Sequence, residues 1–314
     1  MPNSPNDPLL VIVVGPTGSG KSRLAVTIAE SCQGEVINCD SLQLYRHMDV
    51  GTAKTTIDER RGIPHHLIDA LEPNQVFSAG EFARESKRVL ADIRERGKVP
   101  ILCGGTGFYV KALLEGLFEG PPRDVELRAD FLRRESLRPG LLHRVLRRFD
   151  PPSAARIHVR DVQKLVRAVE ICLRSEQPMS RLFGQTEAPL EGFRQLKLGL
   201  SPTRTQLYQR INLRCERMFW GGLQAEVEGL LARGYTSETK ALESIGYRQM
   251  LDHLAGRCSE TEALEATQMW TRRYAKRQLT WFRHDPEIHW LPGFGDSDAI
   301  AAAALALVLE SGKS

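Results

Sequence analysis

The sequence predicts an α/β fold in which a parallel sheet carries a phosphate-binding loop and an all-helical insertion interrupts the core. The first observation is a G-x-x-x-x-G-K-[ST] motif between an apolar run and a helical pattern, the usual context of a P-loop. The second is strand–helix–strand alternation early in the chain, which is typical of parallel sheets with covered faces. The third is an arginine-rich stretch after Pro121-Pro122 with helical spacing and no strand candidate. Together they predict a P-loop NTPase-like core with an inserted helical domain.

The P-loop motif predicts a binding site for a di- or triphosphate. Its glycines let consecutive backbone N–H groups point into one concavity, and the N-terminus of the following helix adds a positive dipole. Lys21 supplies a mobile cation, and the hydroxyl of Ser22 is a candidate Mg²⁺ ligand. The predicted diphosphate-binding residues of the loop are Gly15, Pro16, Thr17, Gly18, Ser19, Gly20, Lys21 and Ser22.

Four apolar runs predict the strands of the sheet. They are Leu9–Val14, Glu35–Asn38, Val99–Leu102 and Leu196–Leu200. A capping box at Ser78 predicts the start of an amphipathic helix. Residues 41–75 are too polar and interrupted for continuous regular structure, and residues 203–283 contain several helical patterns. Residues 1–8 are expected to form a disordered arm.

These patterns divide the chain into three segments. Residues 1–120 form the first part of the core, residues 121–195 form the insertion, and residues 196–314 add a return strand and C-terminal helices. Residues 121–183 contain 14 Lys and Arg against 8 Asp and Glu, whereas the whole chain has a net charge of only +4. The excess positive charge therefore lies in the insertion, as expected of a segment that meets a polyanion.

The composition argues against several classes of protein. The six cysteines are scattered without a C-x-x-C pair, which argues against a disulfide framework and against a zinc site. The apolar run near the N-terminus is too short to span a membrane and no basic segment precedes it, so neither an anchor nor a secretory signal is predicted. We therefore expect a cytoplasmic protein with no membrane partner.

Asp40 is the strongest candidate for a catalytic side chain. It follows the second predicted strand, where open α/β sheets place their ligands, and an aspartate there can accept a proton from a nucleophile beside the P-loop. A Mg²⁺-ligating carboxylate and a loop cap are alternatives at this position. Thr17, inside the loop, either holds the turn or touches the leaving phosphate oxygen or the acceptor.

Other polar positions have two interpretations each. Arg210, Arg214 and Arg217 share one face of a predicted helix and form either a solvated basic surface or a clamp for phosphate oxygens. The glycine turn at 104–107 allows close approach of a backbone or of a substrate, but tight-turn geometry alone also explains many such turns. The histidine pair 65–66 has no partners at metal-ligand spacing, and we interpret it as structural.

Residues 270–284 predict a helix that binds nucleic acid. They include five Lys or Arg, four aromatic residues and no acidic residue. The basic side chains on one face suit contacts with a phosphate backbone. Trp270, Tyr274 and Trp281 recur at helical spacing and are alternatively core residues.

Seven motifs occur together and in a fixed order along the chain. They are GPTGSGKS (15–22), INCDSLQLYRHMDVGTAK (37–54), PHHLID (64–69), GGTGFYVKALLEG (104–116), QKLVRAVE (163–170), ESIGYRQM (243–250) and AKRQLTWFR (275–283). Their combination resembles the bacterial tRNA dimethylallyltransferases, also called tRNA isopentenyltransferases. Two departures are Ser22, where some members have Thr, and Glu243, where some have a basic residue.

The resemblance implies transfer of a dimethylallyl group from dimethylallyl diphosphate to the exocyclic amine of the adenosine 3′ of the tRNA anticodon, with Mg²⁺ and release of diphosphate. It implies that Asp40 is the general base, Thr17 its partner near the reacting centre, and Arg214 the arginine that grips the diphosphate. The insertion would clasp the anticodon stem-loop, and we expect a monomer. The implied tRNA-binding residues are Asp40, Ser41, Leu42, Gln43, Thr106, Arg128, Gln163, Lys164, Leu165, Val166, Arg167, Glu243, Ser244, Ile245, Gly246, Tyr247, Arg248, Lys276, Arg277, Gln278 and Arg283.

Three alternatives use the same motifs differently. A P-loop small-molecule kinase would need the loop and the strand-end aspartate for phosphoryl transfer. An isopentenyltransferase acting on free adenine nucleotides would need the same cavity without a tRNA-binding surface. An NTP-regulated nucleic-acid-binding protein would need no catalysis. The basic insertion and the helix at 270–284 argue against the first two, because a small substrate does not require them.

Overall fold

The structure is a computed structural model that describes residues 7–117, 120–182 and 188–313. The arm predicted at residues 1–8 lies outside the described residues up to position 6. The part of the chain that is described falls into two compact units, Met1–Leu113 with Leu190–Ser314, and Leu114–Pro189. No helix in these described ranges is long and apolar enough to cross a bilayer.

The first unit is built on a parallel sheet, which has six strands in the described residues. They are β1 (Leu9–Val14), β2 (Glu35–Asn38), β3 (His65–His66), β4 (Pro100–Gly104), β5 (Arg194–Leu200) and β6 (His289–Leu291). The strand order is β3-β2-β4-β1-β5-β6, so β1 is central and pairs with both β4 and β5. The fold is therefore an α/β fold of the P-loop NTPase-like type.

The α-helices account for most of the remaining regular structure. In chain order their bounds are α1 (Lys21–Cys32), α2 (Ala79–Glu95), α3 (Gly107–Glu115), α4 (Val125–Leu137), α5 (Leu141–Phe149), α6 (Pro151–Arg156), α7 (Val162–Ser175), α8 (Met179–Leu182), α9 (Arg204–Met218), α10 (Gln224–Ala232), α11 (Tyr247–Leu254), α12 (Glu260–Phe282) and α13 (Asp298–Lys313). A π-helical turn spans Phe219–Leu223, and a 3₁₀ turn spans Lys240–Glu243.

The predicted strands are found, with small differences at their ends. The β1 and β2 bounds agree with the prediction, whereas β4 begins one residue later and β5 two residues earlier. The interval 41–75, predicted to lack continuous regular structure, contains the two-residue strand β3. The histidine pair 65–66 is structural as predicted, because it pairs with β2 at the sheet edge.

The capping box predicted for α2 is present. The Ser78 hydroxyl accepts from the Glu81 N–H at 3.2 Å, and the Glu81 carboxylate accepts from the Ser78 N–H at 2.6 Å. These two hydrogen bonds satisfy two of the backbone donors that every helix start leaves unpaired. They start α2 at Ala79, and its apolar face covers β2 and β4.

One carboxylate anchors the loop that follows β2. Glu226 on α10 accepts from the backbone N–H groups of Asp49 and Val50, each at 2.7 Å, and of Gly51 at 3.0 Å. It also accepts from the hydroxyl of buried Tyr247 at 2.6 Å. A Cβ at Gly51 would lie 2.4 Å from the Tyr247 ring, so this position requires glycine. The loop beyond Asp40 is therefore fixed to the C-terminal helices.

The second unit consists of helices α4 to α8 around an apolar core, and Glu170 is one of its buried carboxylates. Glu170 is 0% exposed and accepts from Arg128 at 2.6 and 2.8 Å, from the Asp124 N–H at 2.8 Å, and from Arg167 at 2.5 Å. Burial alone would raise the pKa of Glu170, but these hydrogen bonds outweigh burial and lower the pKa to about 2. The pair with Arg128 thus ties α4 to α7.

We expect Glu170→Gln to destabilise the folded protein by about 1–3 kcal/mol, because it removes the counter-charge of two partly exposed guanidinium groups, those of Arg128 and Arg167. Since the folded pKa lies below 4.5, the stabilisation is complete above about pH 5 and is lost as the pH falls toward 2. Thermal unfolding followed by circular dichroism from pH 7 to pH 3 measures both effects. Exposed Glu176→Gln is the matched control, and equal melting curves for the two variants would contradict the prediction.

Candidate active site

A cavity of about 720 Å³ opens at the carboxyl ends of β1, β2 and β4. Its wall includes the P-loop after β1, Asp40 after β2, Gly104 at the end of β4 and the face of α9 that carries Arg214. Parallel sheets place their ligand sites at this edge because the strand ends and the helix N-termini meet there. The predicted catalytic and diphosphate-binding groups are therefore brought together.

The P-loop adopts a backbone conformation that its glycines permit. Gly18 and Gly20 have φ values of 80° and 85°, and a Cβ at Gly20 would lie 2.9 Å from Asp296 Oδ1. Gly15 lies against β5, where a Cβ would lie 2.9 Å from the Leu200 carbonyl oxygen. Gly15 thus packs against β5 and does not line the cavity, whereas Gly18 and Gly20 do.

Lys21 is folded back over the loop. Its Nζ donates to the Pro16 carbonyl oxygen at 2.8 Å. Burial lowers the pKa of Lys21 to about 8, an effect partly opposed by the nearby Asp40 carboxylate. An anion in the cavity offers this ammonium group a stronger acceptor than a carbonyl oxygen.

The two serines of the loop differ in position. Ser22 lines the cavity and hydrogen-bonds with the buried Cys103 thiol, whose pKa burial raises to about 12. The motif predicts that Ser19 binds diphosphate, but its hydroxyl is buried away from the cavity without a partner among the described residues. Its N–H donates to the Pro16 carbonyl oxygen at 3.2 Å. Ser19 therefore supports the turn of the loop, and its side chain does not contact the cavity.

Asp40 presents a carboxylate to the cavity with one oxygen available. Oδ1 accepts from the Leu42 N–H at 3.0 Å, which fixes the side chain as a loop cap. The Asn38 side chain holds the Asp40 backbone on both sides, accepting from its N–H at 3.0 Å and donating to its carbonyl at 3.1 Å. Oδ2 has no protein hydrogen bond in the described ranges. The carboxylate can therefore accept a proton from a ligand.

Arg214 is directed into the site and is not part of a solvated basic surface. One guanidinium nitrogen donates to Thr17 Oγ1 at 3.4 Å and the other to the Thr52 carbonyl oxygen at 3.0 Å. Burial lowers the pKa of Arg214, but an arginine remains protonated at neutral pH. Arg210 is instead held by Asp296 in a bidentate pair at 2.7 and 2.8 Å. Of these two arginines, Arg214 is the one placed to hold phosphate oxygens beside Thr17.

Thr106 and Gln278 connect the cavity to α12. The Thr106 N–H donates to the Cys39 carbonyl at 3.2 Å, and its hydroxyl accepts from the Ser41 N–H at 3.2 Å. The resemblance implies that Gln278 contacts tRNA, but its side chain is only 4% exposed. It accepts from the Thr17 N–H at 2.8 Å and donates to the Gly105 carbonyl at 2.9 Å.

The other predicted residues of α12 lie on its exposed face. Lys276 and Arg277, together with Arg283 just after the helix, are exposed. Trp270 and Trp281 are 40% and 46% exposed, so the interpretation of these two tryptophans as core residues is wrong. The face combines basic and aromatic groups, which suits contacts with an unpaired nucleic-acid segment.

The residues of the predicted motif 243–248 differ in how far their side chains are exposed to solvent. Arg248 is exposed, whereas Glu243 pairs with Lys240 and Ser244 donates to the Ala241 carbonyl at 2.6 Å. Tyr247 is 0% exposed and bound to Glu226, so its side chain holds the loop and does not reach solvent. Gly246 has a φ of 96° and is the N-cap residue that precedes α11.

In the second unit the predicted residues also separate into two groups. Gln163 and Lys164 are exposed, and Lys164 pairs with Asp161 at 2.7 Å. Leu165 and Val166 are 0% and 1% exposed and form part of the core of this unit. The guanidinium groups of Arg128 and Arg167 hold Glu170. The side chains available for a ligand on this motif are therefore Gln163 and Lys164.

The chain matches a known family over most of its length. Residues 43–285 match the family model described as IPP transferase. The chain belongs to the IPP transferase family. The match begins three residues after Asp40, so it does not include the P-loop or Asp40, which line the cavity.

Members of the IPP transferase family are similar to this chain over nearly its full length. It is 55% identical over 296 residues to the tRNA dimethylallyltransferase of Solibacter usitatus (strain Ellin6076), covering 94% of this chain and 96% of that protein. It is 50% identical over 307 residues to the tRNA dimethylallyltransferase of Koribacter versatilis (strain Ellin345), covering 98% and 100%.

Solved structures of IPP transferases share the fold. The full-length tRNA isopentenylpyrophosphate transferase of Bacillus halodurans superposes with a TM-score of 0.71 at 35% identity, covering 97% of this chain and 98% of that one. A eukaryotic dimethylallyltransferase acting on tRNA superposes with a TM-score of 0.80 at 27% identity, covering 97% of this chain and 80% of that one. The fold of this chain is therefore the one that these transferases have.

Proposed function

We propose that this enzyme transfers the dimethylallyl group of dimethylallyl diphosphate to the exocyclic amine (N6) of the adenosine 3′ of the anticodon in tRNA. The observation that carries the proposal is one cavity that combines a cationic cradle with an available carboxylate. Lys21 and Arg214 form the cradle, and Asp40 supplies the carboxylate. The acid-free basic segment 270–284 is joined to the P-loop of this cavity by the hydrogen bond between Gln278 and Thr17.

The cavity residues suit the charge changes of this reaction. As the bond between N6 and the first carbon of the prenyl group forms, the carbon–oxygen bond to diphosphate breaks and the electron pair leaves with the diphosphate. Lys21, Arg214 and the loop N–H groups stabilise that negative charge. Thr17 Oγ1 accepts from Arg214, which leaves its own proton available to a ligand oxygen. Asp40 accepts the proton lost by N6.

Mg²⁺ is the metal that this donor set fits. In the described residues no three His, Cys, Asp or Glu side chains cluster as an all-protein metal site. Mg²⁺ is commonly held by one or two protein oxygens, substrate phosphates and water, and the Ser22 hydroxyl lines the cavity to provide one such oxygen. When bound, Mg²⁺ neutralises charge on the diphosphate.

The acceptor is a base that must leave its stack to reach the cavity. Bases in a single-stranded loop are the cheapest to extrude, which favours the anticodon loop. Residues on α12, on 243–248 and on the second unit would bind the RNA backbone, and the second unit would clasp the anticodon stem. We further propose that the protein acts in the cytoplasm as a monomer.

Incubation with radiolabelled dimethylallyl diphosphate, Mg²⁺ and unmodified tRNA transcript tests the function. Label should enter the tRNA, and nuclease digestion with mass spectrometry should locate it on the adenosine 3′ of the anticodon. A transcript with guanosine at that position is the control and should remain unlabelled. Turnover of ATP without prenylation, or labelling of free adenine nucleotides only, would refute the proposal.

The pKa of Lys21 predicts a pH dependence for diphosphate binding. Because only the ammonium form attracts the anion, the affinity for inorganic pyrophosphate should fall about tenfold per pH unit above pH 8. In Lys21→Arg the side chain keeps its charge over this range, so the pyrophosphate affinity of the variant should not show the fall expected for wild type. Calorimetric titration from pH 7 to pH 10 measures both proteins, and parallel curves would exclude Lys21 as the titrating group.

Charge reversal on the exposed face of α12 should weaken tRNA binding. Lys276→Glu is expected to reduce the slope of log K against log salt by about 1, since one phosphate contact is lost. Fluorescence anisotropy with labelled tRNA at increasing KCl measures the slope. Arg233→Glu, exposed just after α10, makes the same charge change elsewhere and is the control. A slope equal to that of the control would show that Lys276 does not contact the tRNA backbone.

A further inference from the structure

The side-chain amide of Gln278 is hydrogen-bonded at both ends inside the protein. Oε1 accepts from the Thr17 N–H at 2.8 Å and Nε2 donates to the Gly105 carbonyl at 2.9 Å. The partners fix the orientation of the amide, because a flipped amide would place N–H against N–H and oxygen against oxygen. With 4% exposure and a hydrogen bond to the backbone at each end, the Gln278 amide is poorly accessible to RNA.

The surrounding backbone is shaped to this contact. A Cβ at Gly105 would lie 2.1 Å from Gln278 Nε2, and a Cβ at Gly107 would lie 2.1 Å from Trp281 Cδ1. Only glycines let the turn after β4 approach α12 this closely. The glycines of the turn predicted from the sequence therefore allow α12 to pack closely against this turn.

The two partners of Gln278 belong to opposite sides of the reaction. Thr17 lies in the P-loop, where its hydroxyl accepts from Arg214. Gly105 precedes Thr106, which binds the Cys39 carbonyl and the Ser41 N–H and so holds the chain on both sides of Asp40. One side chain thus spans the loop that holds the leaving group and the turn that holds the general base.

We propose that Gln278 is a positioning residue that sets the spacing between the diphosphate loop and Asp40, and that it is not a contact for tRNA. The inference rests on the proposed function. Its neighbours Lys276 and Arg277 face outward on the same helix, so the inner face of α12 aligns the two reactants while the outer face binds the RNA. Small errors in such alignment lower the rate of the chemical step and leave the affinity of each substrate nearly unchanged.

Gln278→Met keeps the length of the side chain and removes both hydrogen bonds. We expect single-turnover prenyl transfer at saturating tRNA and dimethylallyl diphosphate to fall about 10- to 100-fold. The dissociation constant for tRNA, measured by anisotropy without donor, should change less than about twofold. Gln268→Met makes the same substitution ten residues earlier on α12, away from the cavity, and should match wild type. Circular dichroism confirms that each variant is folded.

Gln278→Glu adds a pH readout that a merely structural role would not produce. A protonated carboxyl can accept from Thr17 and donate to Gly105 as the amide does, whereas a carboxylate opposes the Gly105 carbonyl oxygen. The single-turnover rate of this variant relative to wild type should therefore rise as the pH falls from 8 to 6. For Gln278→Met the ratio to wild type should stay constant with pH.

The outcomes separate this inference from the proposed function. If wild type does not prenylate tRNA, the function is wrong. If wild type does so and Gln278→Met reacts at the same saturating rate, or loses more than tenfold in tRNA affinity with a normal rate, the positioning role is wrong. In the second of these cases Gln278 would be an RNA contact.

Discussion

Asp40→Asn is expected to lower the prenyl-transfer rate at saturating substrates by at least about 10²-fold, equivalent to about 2.7 kcal/mol of activation free energy. Asparagine keeps an oxygen for the Leu42 N–H, so the loop cap survives, but it cannot take a proton from N6. The affinity for tRNA should change little, because asparagine keeps an oxygen that can accept a hydrogen bond from N6 and no cationic side chain is removed. Single-turnover kinetics with labelled donor measures the rate.

The control for this variant is Asp58→Asn, an exposed aspartate that does not line the cavity. It should react at the wild-type rate. A rate for Asp40→Asn within threefold of that control would remove Asp40 from the chemical step, leaving it as a loop cap. An Asp40→Asn variant that is slow only because it no longer binds tRNA would assign the carboxylate to binding.

Arg214→Gln is expected to lower prenyl transfer by about 10²- to 10³-fold and to weaken inhibition by pyrophosphate. The guanidinium group spans Thr17 Oγ1 and the Thr52 carbonyl, so its loss removes a charge beside the leaving group and releases the Thr17 hydroxyl. Arg214→Lys keeps the charge but not the two-pronged donor, and should recover only part of the rate. Steady-state kinetics with varied donor and pyrophosphate measures both quantities.

Arg204→Gln, on the exposed start of the same helix, is the matched control and should retain wild-type kinetics. Equal pyrophosphate inhibition in Arg214→Gln and in this control would show that Arg214 does not hold the diphosphate. A full recovery by Arg214→Lys would mean that charge alone is required.

The central part of the sheet could be predicted from the sequence because its strands are continuous apolar runs. Leu9–Val14 is buried in five of six positions, which is the pattern that a strand covered on both faces must have. The strands β3 and β6 could not be found, since two or three residues carry no periodicity. Their pairing depends on neighbours that are distant in the chain.

Some residues of the site can likewise be predicted from a local motif, whereas the position of others depends on residues that are distant in the chain. The P-loop is local, and its motif alone predicts that Lys21 and Ser22 lie at the cavity. Whether a polar residue on a helix faces inward or outward is decided by tertiary packing, and for this reason the sequence does not distinguish Gln278 and Tyr247 from their exposed neighbours. The Arg210–Asp296 pair joins residues 86 positions apart, and no spacing rule predicts it.

The sheet ends at β3 on one side and β6 on the other, with two and three residues. Edge strands this short have few unpaired amide and carbonyl groups, so a strand of a neighbouring molecule can form only a few hydrogen bonds with either edge. Resistance to edge-to-edge aggregation follows from this arrangement. Lengthening the β6 border with alternating valine and threonine should accordingly make concentrated solutions of the protein prone to fibril formation.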